Sequence, residues 1–195
     1  PDFDNHELVL FGRDAASGLS AIIAVHSTAL GAACGGCRMW PYANDAEALT
    51  DVLRLSRGMS YKNAMAGLPL GGGKSVIIGD SRKDKSDALF HAFGRVIESL
   101  GGRYIAAEDV GISVADVMTM GKTTRHVAGL ANGHAASGDP SPFTAYGVYL
   151  GIKAAVQHKL GTDNLKGVRI AVQGLGNVGS NLLRRLADDG AVLTV

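Results

Sequence analysis

Two short apolar runs open the chain, ELVLFG at 7–12 and LSAIIAV at 19–25, separated by the turn-forming RDAASG. Strand-length runs joined this way predict an antiparallel hairpin. The period then changes. Asn44 stands three residues before Glu47, a capping-box spacing, and Leu49, Val52, Leu53 and Met59 recur at helical intervals. Lys74–Asp80 is again strand-like. Ser86 predicts the cap of a second helix, with Leu89, Phe90, Phe93, Val96, Ile97 and Leu100 on one side and Gly101 past its end. RYIAAED at 103–109 predicts a strand delivering two acids to its C-terminal end, and Ser113 caps a shorter helix. Strands alternating with helices predict an α/β domain: a mixed sheet with flanking helices.

Residues 132–142, NGHAASGDPSP, are small, polar and proline-containing, which predicts a hinge between a domain at 1–135 and a second region at 136–195. Ser141 as N-cap with Pro142 at the first helical position starts a helix. Its expected buried face is Ala145, Val148, Tyr149, Ile152, Ala155 and Val156, and Gly161 ends it. A strand at Val168–Val172, a glycine turn, a helix to Gly190 and a strand stub at Ala191–Val195 follow. A doubly wound nucleotide fold has about five or six strands. The second region therefore reads as the opening of one, the chain as a piece of a longer protein, and the 195 residues alone as inactive.

Composition narrows the classes. A net charge of +1 with no basic block gives no reason to expect nucleic acid or an anionic membrane as partner. Leu19–Val25 is too short to span a bilayer and follows no basic signal segment, so a soluble, cytoplasmic protein is expected. The 27 glycines are roughly twice the usual share of about 7% and cluster without a period, which predicts several close-approach turns. Cys34 and Cys37 form a C-x-x-C. A redox dithiol and half a zinc site are the sharp readings. No second Cys/His pair has ligand spacing and the motif does not open a helix, which favours two reduced thiols beside a pocket wall and no metal.

The densest chemistry is RGMSYKNAMAGLPLGGGKSVIIG at 57–79, which sets Lys62 and Lys74 on either side of a glycine-rich stretch read as a turn. Glycine removes side-chain bulk where something must come close. A phosphate-binding P-loop requires its first glycine at 68, which is Leu68, and must open a helix, whereas β-branched residues follow Lys74. The nucleoside-triphosphatase reading fails on both counts. On residues alone Lys74 is either an anion-binding cation or a solvated surface lysine. GLGNVG at 174–179 has dinucleotide-binding spacing, follows a strand and precedes a helix, the context that motif needs. Gly174, Gly176, Asn177, Val178 and Gly179 are its candidate cofactor residues. The acid that would hold a ribose hydroxyl falls about 20 residues on, at or beyond Val195, so these residues do not separate NAD from NADP.

Gly-Gly-x-Arg at 35–38, Tyr61-Lys62-Asn63, Leu70-Gly-Gly-Gly-Lys74, Ala107-Glu-Asp109-Val-Gly111 and Asp139-Pro-Ser-Pro-x-Thr144 occur here in order. Together they resemble the amino-acid dehydrogenases that act on glutamate, leucine, valine and phenylalanine, over the whole chain. The resemblance implies a substrate domain followed by a Rossmann domain, NAD as cofactor, an L-amino acid as substrate, oxidative deamination to a 2-oxo acid and ammonia, and a homo-oligomer. It assigns Lys62, with backbone at Gly35 and Gly36, to the substrate carboxylate, and places Cys34, Ala107 and Thr144 around the substrate. Lys74 becomes the lysine that activates water and Asp109 the proton carrier. Two cations in one apolar cleft are expected to depress a lysine's pKa.

In the glutamate enzymes of this family a lysine precedes Gly-Gly-x-Arg; here it is Cys34. An acidic side chain would enter that wall uncompensated, so an apolar, branched-chain substrate is expected. Lys62-Asn63 and Ala107-Glu108 resemble the leucine enzymes more than the phenylalanine ones. Cys34 is smaller than the leucine common there, and Cys37 and Ser81 depart from the usual threonine and proline. The rivals are a phenylalanine dehydrogenase and a non-catalytic amino-acid-binding or assembly module.

Overall fold

The structure, a computed structural model, describes residues 2–131 and 138–195; positions 132–137 of the expected hinge, and with them the expected boundary at 135/136, lie outside the described residues. The chain forms two compact units, Pro1–Gly138 and Asp139–Val195.

In the first unit the apolar runs become β1 (Leu8–Asp14) and β2 (Leu19–Ser27), paired antiparallel with Phe11 opposite Ile22. β3 (Ala33–Trp40), β4 (Gly71–Ile78) and β5 (Tyr104–Glu108) complete a five-stranded sheet in the order β1-β2-β4-β3-β5. β2 runs antiparallel to β4, while β3 runs parallel to β4 and β5, so the sheet is mixed. Helix α1 (Asp45–Met65) covers one face, and α2 (Asp87–Glu98) and α3 (Val114–Met120) cover the other. Alternation within β2 serves both layers. Ile22 and Ala24 pack with Val52, Leu53 and Val76 under α1, whereas Ile23 and Val25 join Phe93, Ile97 and Tyr104. A strand buried on both faces reads as the continuous apolar run seen in the sequence.

The caps follow the expected residues. Asn44 Oδ1 accepts from the Glu47 N–H at 2.9 Å, and Glu47 reaches back to the Ala43 N–H at 2.9 Å, one residue further than a capping box requires. Ser86 and Ser113 cap α2 and α3.

Gly71–Gly73 are the first three residues of β4, not a turn. What they permit is close packing. A Cβ on Gly72 would fall within Ser60 of α1, and one on Gly73 would stand 2.7 Å from the Tyr104 ring.

The second unit holds α4 (Ser141–Leu160), β6 (Arg169–Ala171), α5 (Asn177–Asp188) and β7 (Val192–Thr194), with β6 and β7 parallel. Pro140, not Ser141, occupies the cap position of α4, because the Asp139 carboxylate takes the Ser141 N–H at 2.8 Å. Ala145 is buried and Tyr149, Ile152 and Val156 pack beside Leu182 and Leu186, whereas Val148 and Ala155 are exposed. Helix α4 carries apolar residues all round, and the stripe that is buried follows the 4-3-4 spacing of one helical face. Gly161 ends it in the left-handed conformation, φ 74°. Among the described residues no helix is long and apolar enough to cross a membrane.

Candidate active site

Lys74 lies on β4, and side chains alternate along a strand. Its neighbours at even positions, Gly72 and Val76, face α1, and Lys74 faces the same way. It is only 6% exposed, which removes the surface-lysine reading. Its Nζ stands 2.9 Å from Oδ2 of Asp109, the residue immediately after β5. A buried ammonium needs such a partner.

Three further side chains join this pair. Arg38, on β3, donates from Nε to Asp109 Oδ2 at 3.1 Å and from Nη1 to Asp51 Oδ2 at 2.9 Å. Tyr42 donates its hydroxyl to the same Asp51 oxygen at 2.6 Å. Sequence reasoning quoted Arg38 within a motif but gave it no role, and missed Asp51 and Tyr42. Asp51 sits between apolar helix positions and looks like any solvated acid; only the approach of α1 to β3 discloses it.

The electrostatics follow from these contacts. Burial pushes the Asp109 carboxyl upward, but the charges of Lys74 and Arg38 and the Lys74 hydrogen bond outweigh it, and the net direction is downward. Burial lowers the Arg38 pKa, and the Asp109 and Asp51 carboxylates more than restore it. Lys74 itself is in direct contact with a carboxylate. Lys62 is exposed, in the last turn of α1.

The other expected residues fall around this centre or apart from it. Asn63, next to Lys62, is buried and donates to the Gly71 carbonyl at 2.7 Å, which ties the end of α1 to β4. Gly35 and Gly36 are buried in β3, and Gly36 lies opposite Ala107 of β5. The buried Tyr104 hydroxyl donates to the Gly35 carbonyl at 2.8 Å, fixing that peptide. Cys34 is half-buried on β3 and belongs, by alternation, to the α1 side. Cys37 is buried in the opposite core, and burial pushes its thiol up to about 12. Both cysteines are free, and their opposite faces do not suit a dithiol pair. Thr144 belongs to the second unit and is exposed in the first turn of α4.

In the second unit, Gly176 caps α5 without a side-chain hydrogen bond, and the first turn carries no acid. Gly174 adopts φ +88°, and a Cβ at 174 or 176 would meet nothing within 4 Å, so the turn leaves open space before the helix N-terminus. A Cβ on Gly179 would overlap the Gly174 carbonyl. Uncapped N–H groups facing open space fit the diphosphate of a dinucleotide.

The family description "Glu/Leu/Phe/Val dehydrogenase, dimerisation domain" matches residues 8–126, and "Glutamate/Leucine/Phenylalanine/Valine dehydrogenase" matches residues 137–195. Leucine dehydrogenase of Geobacillus stearothermophilus is 58% identical over 191 residues, covering 98% of this chain and 52% of that protein. Valine dehydrogenase of Streptomyces virginiae is 50% identical over 194 residues, covering 100% of this chain and 54% of its own length. The crystal structure of L-tryptophan dehydrogenase from Nostoc punctiforme superposes with a TM-score of 0.70 at 46% identity, over 97% of this chain and 53% of that one. The chain thus spans about half the length of the curated relatives it matches. With both family descriptions met in order, the chain belongs to the glutamate/leucine/phenylalanine/valine dehydrogenase family.

Proposed function

We propose that this chain carries the catalytic pair and the diphosphate turn of an NAD-dependent dehydrogenase that oxidatively deaminates a branched-chain L-amino acid to its 2-oxo acid and ammonia. The observation that carries the reading is the buried Lys74 ammonium held 2.9 Å from Asp109. The identities to leucine and valine dehydrogenases support the substrate class.

Lys62 and the backbone at Gly35 and Gly36 bind the substrate carboxylate. Cys34 and Ala107 border its side chain, and the absence of a cation at 34 disfavours an acidic one. Asp109 takes a proton from the substrate ammonium. Gly174, Gly176, Asn177, Val178 and Gly179 would hold NAD, which would supply the acceptor for the hydride that leaves Cα. Asp109 gives the ammonium proton up to solvent and takes one from Lys74. The neutral amine of Lys74 then takes a proton from the water whose oxygen adds to the imine carbon. Asp109 gives its proton to the nitrogen, which leaves as ammonia as the C–N bond breaks and the carbonyl forms with loss of the hydroxyl proton to solvent. A lysine and a carboxylate in direct contact exchange protons without a solvent detour.

The dimerisation named in the family description supports a homo-oligomer. Two unpaired thiols suit a reducing compartment, and we place the protein in the cytoplasm.

The test is Lys74→Ala in the full-length protein, assayed for NAD reduction with leucine, valine, phenylalanine and tryptophan. Loss of deamination with retained NAD binding is expected, with leucine or valine the best wild-type substrate. Near-normal turnover of the variant would remove Lys74 from the mechanism. A wild-type preference for tryptophan or phenylalanine would move the substrate to the aromatic class, which the 46% identity to a tryptophan dehydrogenase keeps as the second reading.

A further inference from the structure

Arg38 contacts the candidate catalytic pair, yet the proposed reaction gives it no part. It sits two residues after Gly36 on β3, so its side chain rises on the α1 face, toward both Asp51 of α1 and Asp109 after β5. A guanidinium presents its donors in a fixed plane, so one group can hold two carboxylates at a set separation. Here Nη1 is anchored on Asp51 at 2.9 Å, the Tyr42 hydroxyl holds that same Asp51 oxygen at 2.6 Å, and Nε reaches Asp109 Oδ2 at 3.1 Å. Lys74 binds the same Oδ2 at 2.9 Å. An aspartate turns broadly about its last torsion, and two cations on one oxygen remove that freedom.

We propose that Arg38 is a positioning residue for the reaction: anchored by Asp51 and Tyr42, its guanidinium fixes Oδ2 of Asp109 so that Oδ1 is presented to the substrate nitrogen. The inference rests on the reading of Asp109 as the proton carrier. A purely structural staple does not account for the arrangement. The Arg38–Asp51 contact alone joins β3 to α1, and β5 is already tied to β3 by the strand ladder. The Nε contact adds nothing to either joint. What it adds is charge that offsets the burial of Asp109, and the orientation of that carboxylate, which Arg38→Lys separates from the charge.

Two variants of the full-length protein test this. Arg38→Lys keeps the charge and loses the two-pronged geometry; Asp51→Asn keeps the guanidinium and loses its anchor. A catalytic group displaced by about an ångström costs roughly 10²-fold in rate. Arg38→Lys is therefore expected to lower kcat by roughly that factor while KM for the amino acid stays within about threefold. Asp51→Asn is expected to lower kcat by roughly tenfold, again without a matching rise in KM. The ¹³C carboxyl resonance of Asp109 reports its environment without catalysis and is expected to shift in both variants. Should either variant lose thermal stability but turn over as wild type per folded molecule, with the Asp109 resonance unmoved, the positioning role is overturned; if Arg38→Lys does not fold, Asp51→Asn decides. Asp109→Asn serves as the control on the underlying reading. Full activity there sinks the proton-carrier role itself. An inactive Asp109→Asn beside a wild-type-like Arg38→Lys sinks only the role of Arg38.

Discussion

Lys74 and Asp109 meet at 2.9 Å although they come from strands that are not neighbours: β4 carries the lysine, β5 delivers the aspartate, and β3 lies between them. A side chain on the intervening strand would stand in the gap. The residue there is Gly36, opposite Ala107, and a Cβ on it would lie 2.7 Å from the Asp109 Cβ and 2.5 Å from the Glu108 carbonyl. The glycine pair of β3 is thus a window through the sheet face, and the pair closes across it.

Gly36→Ala is expected to push the end of β5 away from β3 and with it Asp109 off Lys74. A displacement of this size costs roughly 10²-fold in kcat. Steady-state kinetics with circular dichroism as a folding control check it, and unchanged kcat in a folded variant would show that the window is not needed.

Asp109→Asn removes the proposed proton carrier while keeping the shape. A positioned acid–base group contributes about 10²–10⁴-fold, so kcat is expected to fall by that order with little change in KM; a rise in KM alone would make Asp109 a binding residue. The pH behaviour follows the direction of its shift. Because the folded pKa lies below the ordinary 3.8, the Asp109 ion pairs contribute stability above that value and lose it as pH falls through the folded pKa. Wild type is expected to lose this increment in strong acid and Asp109→Asn is not, as read by urea denaturation at stepped pH.

Much of this was legible in the sequence, for identifiable reasons. The hairpin, the caps Asn44, Ser86 and Ser113, and the turn Gly161 rest on local rules, and local chemistry decides them. Roles for Lys74 and Asp109 came through the family resemblance, not spacing, since 35 positions of chain separate them, and their direct contact appears only in the fold. Gly71–Gly73 misled because glycine runs usually mark turns, whereas here the missing side chains admit α1 and Tyr104 against a strand. Arg38, Asp51 and Tyr42 were silent because their meeting depends on the packing of α1 over β3. Val148 and Ala155 misled because an all-apolar helix does not declare which stripe it buries.

Asn63 is the buried peg at the end of α1. Its Nδ2 donates to the Gly71 carbonyl at 2.7 Å, and neighbouring Lys62 is turned outward by the same helical step. Asn63→Ala strips a buried carbonyl of its donor, a loss of about 1–3 kcal/mol. The same change frees the last turn of α1, so KM for the amino acid is expected to rise along with the lost stability. Denaturation midpoints and KM measured together check this, and a variant with lower stability but unchanged KM would detach Asn63 from the placement of Lys62.

The last prediction concerns the segment before β1. His6 is buried against α1. Its Nδ1 accepts from the Asp4 N–H at 3.1 Å, so Nε2 carries the proton and donates to the Leu53 carbonyl at 3.0 Å, with Ser56 Oγ 3.1 Å away. Both nitrogens are satisfied only while the ring is neutral, because protonating Nδ1 breaks the Asp4 bond. Burial lowers its pKa below 6.5; the Leu53 carbonyl and Asp4 act in the opposite direction, while His26 and Arg57 add to the lowering. The unfolded chain therefore binds the proton more readily than the folded one, and stability is expected to fall as pH drops below 6.5 toward the folded value. Asp2 pairs with Arg54 and Asp4 with Arg57 along the same helix, so the segment stays tethered by charge while the imidazole contact weakens. His6→Gln lacks the titration. It is expected to be less stable than wild type at neutral pH, yet to show a shallower loss between pH 6.5 and mild acid. The two proteins differ only at this position, so the difference between their urea midpoints isolates His6. Parallel pH profiles for the two proteins would show that His6 does not couple this segment to protonation.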